Sequence, residues 1–318
     1  MSGRPSRCAL RYERPPLIDE SIWQSKVLPE LVGVRAPGEL SQVPSRPLRR
    51  RQLELPGVPL PPAAMPLWHR GRPRKRWTYM LFASRELVAC AAVAEIAGLP
   101  RRWWAIATPD GALVGRAAPF LRRFSVAPER VYVRCGATEF TLEASPGGEV
   151  EVISPTGRSF AWTRKRYGPA RARLRRNRTT QNFEGGALLD ESAGYHPRRT
   201  RWRWCAGVGT ASSGETVAWN PVRGIHDSPQ ASERTVWVAG EPYEVPAVEF
   251  EDDLTAVHCP DESTTLHFRP WSKRSERLRL GLIAIDYRQP FGAFSGELPG
   301  GLRLVTGTGV MEFHDARW

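Results

Sequence analysis

"RTRWRWCAG" (Arg199–Gly207) sets three arginines between a threonine and two tryptophans, then runs into small apolar residues. A period of two marks a β-strand, because successive side chains of a strand point to opposite faces. Thr200, Trp202, Trp204 and Ala206 then share one face, and Arg199, Arg201, Arg203 and Cys205 share the other. Tryptophans turned inward predict an apolar pocket with a solvated arginine face. Arginines turned inward would need a carboxylate or an anionic ligand, with Asp190, Glu191 and Asp227 as candidates. The first arrangement is the expectation.

The flanking sequence has the same texture. Before it come "RKRWTYMLFAS" (74–84), "LVACAAVAEI" (87–96), "RWWAIAT" (102–108), "ALVGRAAPF" (112–120), "RVYVRC" (130–135), "EFTLEAS" (139–145), "EVEVIS" (149–154) and "SFAWTRKRY" (159–167), punctuated by "PDG", "PGG" and "PTG". After it come "ETVAWN", "RTVWVAG", "YEVPAVEF", "TTLHFRPW", "RLRLGLIAIDY", "FGAFSGEL", "GLRLVTG" and "GVMEFHDARW". Short alternating or apolar runs with turn residues at regular intervals predict antiparallel meanders closing into barrels or sandwiches. No long window keeps a 3.6-residue apolar period, so little helix is expected.

The predicted organisation is all-β, with a Pro-rich segment over residues 1–66 wrapping the body, a first barrel lobe over 67–178, and a second over 179–318 that carries the candidate pocket. "RKRYGPARARLRRNR" (164–178) interrupts the strand series and reads as an inter-lobe connection or an exposed strand edge. "GVGTASSG" (207–214) faintly resembles a dinucleotide fingerprint, but its third glycine position is Ser212 and no helix follows, so it reads as a hairpin loop.

A chain of 318 residues with 41% hydrophobic residues can bury a substantial core. Its net charge of +13 would ordinarily suggest nucleic acid or an anionic surface as partner. Lysine, however, occurs only at positions 26, 75, 165 and 273, and the arginines are spread along the whole chain, as a compositional bias would spread them. The 5 cysteines are widely spaced with no Cys-x-x-Cys pair, which fits reduced thiols in a cytoplasmic protein. The most apolar stretch, Leu87–Leu99, is too short to span a bilayer and contains Glu95. The 6 histidines are scattered, so no metal site is expected, and no cofactor signature is present.

"LLDESAGYHPRRTRWRWCAGVG" (188–209), "VAWNPVRGIHD" (217–227), "SERTVWVAGEPYEV" (232–245), "YRQPFGAFSG" (287–296) and the terminal "GVMEFHDARW" together resemble a bacterial family known as domain of unknown function 2804. "GELSQVPSRPL" (38–48) and "RKRWTYMLF" (74–82) look like its entry segments. The resemblance implies a lipocalin-like pair of barrels distantly similar to hydroxyneurosporene synthase, a carotenoid hydratase, to AttH-type proteins and to lipocalin-like cyclases. It implies no established activity. Where members of the family often carry Asn-Leu, this chain has Asn220-Pro221.

Two constellations carry candidate chemistry. His226, Asp227 and His314 are the candidate catalytic groups, since an imidazole beside a carboxylate can be tuned for acid/base work near neutral pH. Buried structural knots closing a barrel would use the same residues. Trp202, Trp204, Trp219 and Trp237 fall on consecutive strands and are candidate ligand-binding residues with Asn220, Asp190 and Tyr195; core packing is the alternative. A small apolar ligand, lipid- or terpenoid-like, is the expected partner. Acid-catalysed hydration, cyclisation or isomerisation is a conceivable reaction, with indole faces stabilising a cation. Nucleic-acid binding through "RGRPRKRW" (70–77) and the 164–178 segment, and a non-enzymatic partner-binding role for residues 1–66, stay open beside it.

Overall fold

The computed structural model describes residues 44–53, 58–281 and 283–317. It is all-β, two large antiparallel sheets in tandem forming barrel-like lobes, and the helical turns among the described residues are Arg50–Gln52 and Pro260–Glu262. No helix among them is long and apolar enough to cross a membrane.

In the first lobe the strands run in the order Leu113–Ala118, Leu99–Ala107, Val88–Ile96, Lys75–Ala83, Thr179–Gly194, Phe160–Arg176, Thr138–Ala144, Arg130–Cys135 and Phe124–Ala127. The second follows a similar scheme, in which Arg199–Ala211 lies between Thr216–Asn220 and Leu302–Arg317, the latter continued by Ile283–Leu298 and Thr264–Leu280. Each lobe therefore joins its first long strand to its last: Lys75–Ala83 to Thr179–Gly194, and Arg199–Ala211 to Leu302–Arg317.

Both faces of these central strands are buried, against different partners. Met80, Phe82, Ala89, Ala91 and Leu189 fill the first lobe's own core, onto which Phe124 and Val126 of the edge strand Phe124–Ala127 pack as the sheet curls over. Cys205, Trp219, Phe294, Met311 and Phe313 fill the core of the second. Tyr79, Leu81, Cys90, Leu188, Trp204, Ala206, Val208, Phe291 and Val310, from the alternate positions, form a third core in which the two sheets meet face to face. Continuous apolar runs such as "YMLFA" and "VACAAVA" reflect this two-sided burial.

Three expectations are corrected. The first sheet does not end at residue 178: Thr179–Gly194 pairs with Phe160–Arg176 and Lys75–Ala83, and the chain passes to the second sheet across residues 195–198. Nor is 164–178 a connection or an edge, because all but the turn residues Asn177 and Arg178 belong to the 17-residue strand Phe160–Arg176, whose buried Ala170, Ala172 and Leu174 alternate with exposed Arg171, Arg173 and Arg175. Pro169 is tolerated there because the neighbour changes beside it: Gly147 faces Tyr167 and Ala144 faces Ala170, so no ladder partner is lost. Finally, Gly207 and Gly209 are strand residues and the turn begins only at Ser212. A Cβ on Gly207 would stand 2.3 Å from the Trp219 ring, so glycine makes room for that indole.

Of the Pro-rich segment, residues 1–43 and 54–57 lie outside the described residues. Leu48 and Arg49 add a short edge strand opposite Ile153 and Val152.

Candidate functional site

At one end of the inter-lobe core the sheets part around a cavity of about 210 Å³. Its position corrects the expectation of a pocket inside the second barrel, since Lys75, Trp77, Tyr79 and Trp103 of the first lobe line it together with Trp202, Trp204, Tyr287 and His314 of the second. The rings support one another. Trp77 stacks on Trp202 at 6.1 Å, His314 stacks on Trp202 at 3.8 Å and 8°, and Tyr79 meets Trp204 edge-on at 5.7 Å. The tryptophans of "RTRWRWCAG" thus face inward, towards the other lobe. Arg199 pairs with Asp315, while Arg201 and Arg203 lie over the Phe313 ring.

Two polar groups interrupt this aromatic wall. In the first, Lys165 Nζ lies 2.6 Å from Asp190 and 3.5 Å from Glu233, all three being buried. Period two separates Asp190 from its neighbour Glu191, which turns to the opposite face and pairs with Arg164 at 2.8 Å. One ammonium cannot neutralise two buried carboxylates. Burial first, and the negative Asp190 after it, outweigh Lys165 and push the Glu233 carboxyl up to about 7. In the second group, Glu312 accepts hydrogen bonds from Trp202 Nε1 (2.8 Å), Tyr287 OH (2.8 Å) and Gln289 Nε2 (3.2 Å), and burial raises its pKa.

The three histidines of the cavity are held neutral. Burial pushes His226 and His314 down to about 3, and drives His196 well below its ordinary value, with Lys75 adding to the effect on His196 and His314. Burial also lowers Lys75 to about 7. These shifts set a pH dependence. An imidazole that is neutral when folded but takes a proton near 6.5 when unfolded contributes stability that is complete above 6.5 and is lost as pH falls towards 3. Glu233 has the opposite sign, its contribution being complete below 4.5 and lost as pH rises through about 7. Three imidazoles outweigh the raised carboxyls Glu233 and Glu312, so urea midpoints should fall from pH 6.5 to pH 4.5, each net proton adding about 1.4 kcal/mol per pH unit. A midpoint that stays level or rises over that range would contradict this electrostatic description.

Of the residues singled out from sequence, Trp202, Trp204, Asp190, His226 and His314 line the cavity. The others stand elsewhere. Asn220 lies behind the wall, accepting from Trp204 Nε1 at 2.6 Å and donating to the Glu233 carbonyl at 2.9 Å. Trp219 and Trp237 do not share a face, because Trp219 is opposite Val236 while Trp237 is opposite Ala218, one register position away. Trp219 enters the second lobe's own core, and Trp237 donates to the Gly148 carbonyl across the lobe interface. Tyr195 donates to the Pro66 carbonyl at 2.8 Å within a separate cluster.

Asp227 is a turn residue whose Oδ2 accepts from Gly224 N at 2.7 Å. Asp227→Ala should therefore cost about 1 kcal/mol of stability and leave ligand binding in the cavity intact, as read by denaturation and fluorescence titration. Lost binding in a folded variant would return Asp227 to the site.

Sequence reasoning missed Lys165, Glu233, Glu312, Tyr287, Trp77 and Trp103. One signal was available for the lysine. In a chain that uses arginine almost everywhere, two of its four lysines, Lys75 and Lys165, line this cavity.

Two of the exposed arginines of the 164–178 segment pair with carboxylates, Arg171 with Glu184 at 3.2 Å and Arg175 with Glu139 at 2.6 Å. Arg76 in "RGRPRKRW" pairs with Glu95 at 2.7 Å.

No curated protein matches the chain. Among solved structures, an AttH protein from Nitrosomonas europaea is 13% identical, with a TM-score of 0.45 over 82% of this chain and 98% of that one. Kievitone hydratase from Nectria haematococca is 10% identical, with a TM-score of 0.45 over 75% and 88% of the respective chains. CghA with Sch210972 is 11% identical, with a TM-score of 0.38 over 76% and 88%. The family model described as Domain of unknown function (DUF2804) matches residues 121–318, well over half of the chain, and the chain belongs to that family.

Proposed function

We propose that this protein binds a small, mostly apolar molecule in the cavity between its two lobes and carries out acid/base chemistry on it. The observation that carries this reading is the meeting of Trp77, Trp103, Trp202 and Trp204 with the buried Lys165–Asp190–Glu233 group around one cavity. The volume lies below the usual ~300–1,000 Å³ of ligand pockets, which favours a compact molecule. Indole rings supply apolar area and faces that attract positive charge. A carboxyl near 7 can give up a proton at neutral pH, whereas the His226 imidazole, pushed down to about 3, serves as a hydrogen-bonding group rather than as a base. Hydration, cyclisation and isomerisation of an apolar substrate all need such a donor next to a ring wall. Pairing of exposed arginines with carboxylates weighs against nucleic acid as the ligand.

The test is intrinsic fluorescence during titration with a panel of compact apolar compounds, monocyclic and bicyclic terpenoids and medium-chain alcohols among them. Saturable quenching is expected for some. A panel without a single saturable response would refute the reading.

A further inference from the structure

The cavity holds buried polar atoms that the protein itself leaves without a hydrogen bond among the described residues. His196 Nε2 and His226 Nε2 are two of them, on residues only 2% and 5% exposed. His226 already shares its other nitrogen with Ser154 Oγ at 2.7 Å. Asp190 Oδ1 and Glu233 Oε2 meet the Lys165 ammonium by ion contact rather than an aligned hydrogen bond, and the Glu233 carboxyl also has the Thr163 side chain beside it. All four residues line the cavity, and the His226 imidazole lies within electrostatic reach of both His196 and Lys165. Buried polar groups normally find partners, so a cluster of unmatched ones around one cavity asks for a shared partner.

The chemistry of the unmatched atoms defines that partner. The Asp190 carboxylate only accepts and Glu233 accepts when ionised, whereas a neutral imidazole nitrogen either donates or accepts according to its tautomer. A group that serves both sides must donate and accept at one atom. A hydroxyl does so, whereas a ketone only accepts and a hydrocarbon does neither. Lys75, Arg76, Arg101 and Arg274 also line the cavity, but beside the Lys165 group a ligand carboxylate would be repelled by Asp190 and a ligand ammonium by Lys165, so a head group placed at this end is uncharged.

Resting on the reading of the cavity as an apolar-ligand site, we propose that it selects a neutral apolar alcohol whose hydroxyl lies between the His196/His226 nitrogens and the Asp190/Glu233 carboxylates. The ring or chain of the alcohol takes the tryptophan wall. Lys165, satisfied by two carboxylates, fixes the geometry of the acceptors and is a positioning residue.

Calorimetric titration of the full chain at neutral pH with borneol, camphor and bornane tests this, since the three share one skeleton and differ in the head group. Borneol should bind roughly tenfold or more tighter than bornane, with camphor between, as one or two net hydrogen bonds imply. His226→Phe should bring the borneol-to-bornane ratio close to one. The ranking in the unaltered protein stands by itself if that variant fails to fold. Equal affinity for borneol and bornane, or tighter binding of camphor than of borneol, overturns the hydroxyl assignment and leaves the apolar site standing. Failure of all three to bind overturns both.

Discussion

Lys165→Met should lower folding stability by about 3–5 kcal/mol, the cost of leaving buried carboxylates without their cation. Lys165 is 3% exposed, and Asp190 and Glu233 sit 2.6 Å and 3.5 Å from its ammonium. Glu233 can relieve part of the strain, because its carboxyl is already pushed up to about 7 and needs little more to stay protonated. Thermal and urea midpoints of the purified variant measure the loss. Replacing all three residues together with Met, Leu and Met should recover most of it, since a buried ion group exchanged whole for apolar residues is often neutral or stabilising. That triple variant should also lose the proposed acid/base function. A single Lys165→Met variant as stable as the parent would mean that the three groups are not held together in the dry interior.

Trp204→Ala should be comparably damaging and should also remove the ligand site. The indole is 5% exposed, edge-on to Tyr79, beneath the Lys165 ammonium at 5.8 Å, and tied to Asn220 Oδ1. Truncation leaves a cavity and an orphaned amide oxygen, together worth about 3–5 kcal/mol. Trp219→Ala provides the control. It removes an indole of the same size from the second lobe's own core, where it packs on Phe294 at 5.1 Å. The two variants should therefore lose similar stability, while only Trp204→Ala loses ligand-induced quenching of the remaining tryptophans. Equal retention of binding in both would remove Trp204 from the site.

This contrast between two tryptophans marks the limit of a local pattern. Alternation at 199–206 identifies the strand and sorts its residues into two sets, because side-chain direction follows from backbone geometry within the strand. It cannot say what each set meets. The usual inference, apolar face in and charged face out, presumes one buried face. Here both are covered: Trp204 and Ala206 by the first lobe, and Cys205 by the second lobe's own core. The four tryptophans of consecutive strands invite placement on one wall, but a one-residue offset in register sends Trp219 and Trp237 to opposite faces.

The segment 164–178 fails for a related reason. Its arginines, glycine and proline have the composition of a loop, and only pairing with strands on both sides, with the neighbour changing at Pro169, makes it the long central strand that delivers Lys165 to the cavity. Glu233 and Glu312 carried no local mark at all. Each is an ordinary glutamate in sequence and becomes distinctive only through what the fold removes, the surrounding water.

All-β architecture, meandering strands, scarcity of helix and the inward turn of Trp202 and Trp204 were legible in the chain, because each rests on periodicity, turn chemistry or composition over a few residues. The cavity belongs to tertiary structure. Its walls come from residues as far apart as Lys75 and Ala316, brought together when each lobe pairs its first long strand with its last and the two sheets close face to face. Register across those distant pairings decides which side chains converge, and burial at the convergence decides their protonation, so the acid and its neutral histidines exist only in the folded molecule.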